Sequence, residues 1–121
     1  SGAAHLVLSP DPQGRFALTA EAIRGVQLAG APTVVLAACD SGQVAAYLHQ
    51  AWGLPQAFRE AGARAVFAAR GALPDASSAA FFDGVLRRIR AGVAPARALR
   101  DERVGWLDRG DDWVTDVVLF E

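Results

Sequence analysis

Thr33-Val-Val-Leu-Ala-Ala-Cys-Asp-Ser-Gly42 decides the fold class. Thr33 to Ala38 is β-branched or apolar throughout, without alternation, which is the pattern of a strand buried on both faces. Strands of that kind belong to parallel sheets flanked by helices. Asp40-Ser41-Gly42 supplies the turn residues that stop the run just after Cys39.

Working outward, Ala65 to Ala69 (AVFAA) reads as a second buried strand, and His5 to Leu8 as a shorter one. Between them, Thr19 is placed to cap a helix that carries Ile23 and Val26 and stops at Gly30. A helical stretch with Val44, Tyr47 and Leu48 follows the turn, and Leu54 to Ala61 is helical with Gly62 as its stop. Pro74-Asp75 opens a long helix through Phe81, Phe82, Val85, Leu86 and Ile89 to Gly92, and Pro95 starts another with Ala98, Leu99, Val104 and Leu107. Trp113 to Phe120 reads as the last strand, packed through Trp106, Trp113 and Phe120. The order βαβαβααβ predicts a mostly parallel sheet between helices.

Length and composition bound what such a chain does. At 121 residues it fits one domain, and 52% hydrophobic content suffices for a core. All the basic residues are arginine, and twelve of them against thirteen acids leave a net charge of -1. That balance argues against nucleic acid or an anionic membrane as the main partner. The longest apolar run, Val34 to Cys39, is far too short to cross a bilayer, and no basic leader precedes His5. Ser1-Gly2 reads as a cut end. One cysteine excludes an internal disulfide and any Cys-rich zinc site. No GxGxxG or P-loop spacing supports a nucleotide, and no GxSxG elbow makes Ser41 a nucleophile. The expectation is a cytoplasmic domain without metal or cofactor. Arg87, Arg88 and Arg90 read as a solvated helix side.

In a parallel sheet, reactive groups gather where strands end at their carboxyl edge. Cys39 falls just beyond one buried strand, and Asp75 shortly after the next. Each has two readings. Cys39 is a small buried hydrophobe, or a nucleophile whose backbone N–H helps bind an oxyanion. Asp75 is the N-cap of the helix after Pro74, or a binding carboxylate.

Val34-Val-Leu-Ala-Ala-Cys-Asp-Ser-Gly42 resembles the cysteine motif of CHAT domains, caspase-like domains of bacterial proteins that also resemble separase. Trp52-Gly-Leu-Pro-Gln-Ala-Phe58 and Ala61-Gly-Ala-Arg-Ala-Val-Phe-Ala68 are similar to the family's helix and strand after the nucleophile. Leu73-Pro-Asp75 resembles the loop after that strand, and Ala91-Gly-Val-Ala-Pro-Ala-Arg-Ala-Leu-Arg100 the closing helix. Leu18-Thr-Ala-Glu-Ala-Ile23 also has the expected form. The resemblance implies a caspase-like three-layer α/β/α sandwich over residues 1–121, and a cysteine peptidase with Cys39 as nucleophile. It implies that Asp75 lines a pocket for Arg or Lys before the cleaved bond, with Ser41, Gly42 and Arg70 at the substrate.

The sequence departs from the family at two points. The family's general base lies in a His-Gly pair upstream, whereas neither His5 nor His49 is followed by glycine. The chain is then the C-terminal part of a larger domain, a pseudoenzyme serving as an interaction module, or a rebuilt site using His5. Arg70-Gly71-Ala72 also replace the family's tryptophan before Leu73, which puts Arg70 in a position to neutralise Asp75. If the histidine strand is absent, Val34–Ala38 is left as an open apolar edge, a recognised hazard. The remainder of the parent chain or a second copy is the expected cover, beside a protein or peptide substrate.

Overall fold

The residues expected to matter most follow two parallel strands in the sequence. The computed structural model describes residues 5–8, 23, 26–36, 55–69 and 73–121, and of residues 5–8 and Asp75 the backbone alone. In chain order the elements are β1 (His5–Leu8), β2 (Thr33–Leu36), a helical stretch over residues 55–60, and β3 (Ala65–Ala69). Then come α1 (Asp75–Arg90), α2 (Pro95–Asp108), a 3-10 turn (Asp112–Asp116) and β4 (Val117–Phe120). The sheet order is β1-β2-β3-β4. The first three strands are parallel, and β4 returns antiparallel to β3.

Every residue of β2 and β3 is buried. Successive side chains of a strand point to opposite faces, so unbroken burial means that both faces of the sheet centre are covered. Phe58, Phe67, Phe81, Leu36 and Leu73 are among the largest fully buried side chains of that core.

The long helix begins and ends where the sequence says. Pro74 takes the capping position in an extended conformation (φ -63°, ψ 130°), and Asp75 is the first helical residue. The expected N-cap role of Asp75 is therefore corrected: Pro74 occupies the cap, and an acid one position later still favours the positive end of the helix. Gly92, with φ 102°, follows the C-cap Ala91 in the left-handed region that suits glycine. Arg87, Arg88 and Arg90 fill the last turn, where cations offset the helix dipole. Arg87 pairs with Asp83 one turn earlier, and that partner raises the guanidinium pKa above its usual value.

Helices α1 and α2 approach closely at Gly84. A Cβ built there would fall 2.7 Å from Glu102 Oε1, inside the 3.0 Å that real Cβ atoms keep. The Glu102 carboxylate is held on both sides. Arg88 Nε donates to Oε1 at 3.0 Å, and Trp106 Nε1 donates to Oε2 at 2.9 Å. Trp106 and Trp113 meet edge-on at 5.5 Å, and each meets Phe81 the same way, at 5.8 and 5.5 Å.

Four expectations need correction. Residues 112–116 are a 3-10 turn rather than the start of the last strand, because Trp113 and Val114 turn inward and Thr115 Oγ1 donates to the Asp112 carbonyl at 2.9 Å. The helix expected to reach Gly30 gives way by Val26, since Leu28 N–H donates to the Ala61 carbonyl at 2.7 Å instead of a helical partner. Val104 and Leu107 are 54% and 40% exposed, because Trp106 takes the inner side of α2. Lastly, β2 is not an edge: β1 pairs with it on one side and β3 on the other. Residues 37 and 38, the expected end of β2, lie outside the described residues.

Candidate functional site at the carboxyl edge of the sheet

Leu36 of β2 and Ala68 of β3 are register partners in parallel strands. Both chains therefore leave the sheet at the same edge. From Leu36 the chain reaches Cys39 in three residues, and from Ala69 it reaches Asp75 in six. Within that second connection Leu73 is fully buried, which anchors the approach to α1. Pro74 then fixes the direction in which the helix starts, because its ring restricts φ.

Cys39, Ser41, Gly42, Arg70 and His49 lie outside the described residues. Asp75 is placed by its backbone at the first position of α1. The sheet thus ends β2, which precedes Cys39 in the sequence, and β3, which precedes Asp75, at one edge.

His5 is separated from that edge. Its Cα partner is Thr33, at the amino end of β2. Three strand steps, about 10 Å, lie between that level and Leu36, before the chain even starts towards Cys39.

Sequence reasoning missed one neighbour of the edge. Ala69, the last residue of β3, is in register with Val117, the first of β4. Because β4 runs the opposite way, the 3-10 turn Asp112–Asp116 abuts the same edge on the far side of β3. Asp116 is exposed there. The signal was in the acids flanking Trp113-Val-Thr, which favour turns over a strand interior.

Among the described residues no cluster of histidine, cysteine or acids is arranged to hold a metal ion. Among them, too, no helix is long and apolar enough to cross a membrane.

A search of curated proteins finds no match to this chain. The family model of the CHAT domain matches residues 1–113, a span that takes in the cysteine motif, β2, β3, both long helices and Asp75. The chain belongs to the CHAT domain family, which is related to the caspase-like peptidases.

Proposed function

We propose that this chain is the C-terminal part of a caspase-like cysteine endopeptidase domain, a three-layer α/β/α sandwich, with Cys39 as the nucleophile. The observation that supports the reading is the in-register parallel pair β2–β3, whose carboxyl ends share one edge, with Cys39 three residues beyond Leu36 and Asp75 six beyond Ala69 in the sequence.

The chemistry follows from the residue types. A histidine takes the thiol proton, and the thiolate attacks the peptide carbonyl to form a C–S bond. The backbone N–H of Cys39 helps hold the oxyanion. The tetrahedral adduct collapses, the C–N bond breaks, and the histidine returns the proton to the leaving amine. Water then hydrolyses the thioester and restores the thiol. The histidine comes from a segment outside this chain: neither His5 nor His49 is followed by the glycine of the family's pair, and the backbone of His5 sits at the opposite end of β2. Asp75 pairs with an Arg or Lys side chain before the cleaved bond as a charge-assisted partner. Ser41, Gly42 and Arg70 border the same substrate.

The test uses the intact parent protein and an electrophilic peptide probe ending in arginine. Covalent labelling at Cys39, located by peptide mass spectrometry and lost in Cys39→Ala, is the expected result. No labelling of a folded parent overturns the peptidase reading in favour of an interaction module. Labelling by a leucine-ended probe but not the arginine one overturns the basic pocket alone.

A further inference from the structure

Glu102 of α2 seats against Gly84, in the body of α1, and this contact bears on where Asp75 stands. Helix α1 is a single run from Asp75 to Arg90, so its first residue moves with its body. Gly84 is nine residues along it, about 14 Å from Asp75 at the helical rise. There the missing side chain admits the Glu102 carboxylate against the helix backbone. That carboxylate is not a loose end free to swing aside. Its side chain is 18% exposed, and its two oxygens accept from Arg88 of α1 and Trp106 of α2. Trp106 in turn is wedged against Phe81 and Trp113. Glu102 therefore acts as a spacer of fixed size between α1 and α2, beside the direct contact of Phe81 with Trp106.

We infer that the seating of Glu102 on Gly84 sets the position of α1, and through it the position of Asp75 at the carboxyl edge. Glu102 is then a positioning residue for recognition of the substrate's basic side chain. This rests on the peptidase reading above for its functional consequence, though not for its structural one. A shift of about 1 Å at a recognition group is enough to lower turnover by about a hundredfold.

The experiment compares Gly84→Ala, Glu102→Ala and the double variant in the intact parent protein. In Gly84→Ala the new methyl pushes α1 away from Glu102. The expected result is a fall of about tenfold or more in kcat/KM for an arginine-ended peptide, carried mainly by KM. Alkylation of Cys39 by iodoacetamide, which needs no Asp75, stays at the wild-type rate. In the double variant the methyl occupies space the carboxylate has left, so kcat/KM returns to within about threefold of wild type. Its melting temperature stays low, because both hydrogen bonds to Glu102 are gone. A purely structural contact gives the opposite order, with the double variant no better than either single one, and that result overturns the proposal. Unchanged kcat/KM in a folded Gly84→Ala protein also overturns it. Should Gly84→Ala not fold, the double variant decides: wild-type kcat/KM supports the positioning role, and its loss refutes it. If the parent cleaves no peptide, the peptidase reading falls by itself. Crystal structures of the wild type and the double and single variants then decide the positioning, which is refuted if Asp75 Cα keeps its place relative to β3 in Gly84→Ala.

Discussion

Arg103 on α2 donates from Nη2 to the backbone carbonyl of Val117, the first residue of β4, at 2.6 Å. Among the described residues β4 is the last strand in the sheet order, so this carbonyl is satisfied by a side chain where another strand would otherwise pair. An edge strand reading Val-Val-Leu-Phe has no lysine or proline of its own to discourage association. The guanidinium therefore ties β4 to α2 and blunts the edge.

Arg103→Ala is expected to lower unfolding free energy by about 1.5 kcal/mol, the loss of a charge-assisted hydrogen bond at a part-buried position. Urea unfolding measures this. Light scattering at rising protein concentration should show more self-association than wild type, and an unchanged profile would mean that the edge is guarded by something else.

Phe81→Ala removes a fully buried ring on which Phe82, Trp106 and Trp113 all pack. Large-to-small changes of this type cost about 3–5 kcal/mol. Because two indoles lose a neighbour, the tryptophan emission of the folded protein should shift as well as the denaturation midpoint.

His5→Ala should leave the alkylation rate of Cys39 unchanged across pH 6 to 9 in this chain. The reason is topological, since the backbone of His5 is level with Thr33 at the amino end of β2. A slower rate in the variant, or a pH profile that loses an inflection, would bring His5 into the site.

Asp75→Ala in the parent protein should cut turnover of arginine-ended substrates by at least about a hundredfold, since a lost charge partner in a buried pair costs about 3–5 kcal/mol. Its effect on unfolding should be well below that, about 0.5 kcal/mol, because Pro74 and not Asp75 holds the capping position. A P1 scan and a thermal melt on the same variant separate the two effects.

The strands that were easiest to read are those whose pattern leaves one choice. Thr33–Leu36 and Ala65–Ala69 are uniformly apolar or β-branched and become the buried centre of the sheet. Pro74, Gly92 and Pro95 mark helix boundaries through backbone chemistry alone, and the helices start and stop beside them. Where tertiary contacts compete, the local pattern loses. Val114 and Thr115 favour a strand by type, yet the packing of Trp113 on Phe81 and Trp106 holds them in a 3-10 turn. Leu28 fits a helical period, yet its N–H goes to Ala61, a partner no local rule points to. The antiparallel sense of β4 is of the same kind, since a short apolar run reads alike in both directions. For the site, the residue types were legible in the sequence, while the shared carboxyl edge of β2 and β3 comes from the sheet. The pairing of His5 with Thr33 could not be read from spacing, because it depends on which neighbour β1 chooses.

The reversed direction of β4 has a practical consequence for handling the protein. Phe120 is in register with Val66, near the amino end of β3, so Glu121 leaves the sheet on the side remote from Leu36 and Ala68. A fluorophore, affinity handle or surface tether joined after Glu121 leaves from the end of the sheet opposite Leu36 and Ala68. Immobilising the chain through that end presents the carboxyl ends of β2 and β3 to whatever is flowed across it.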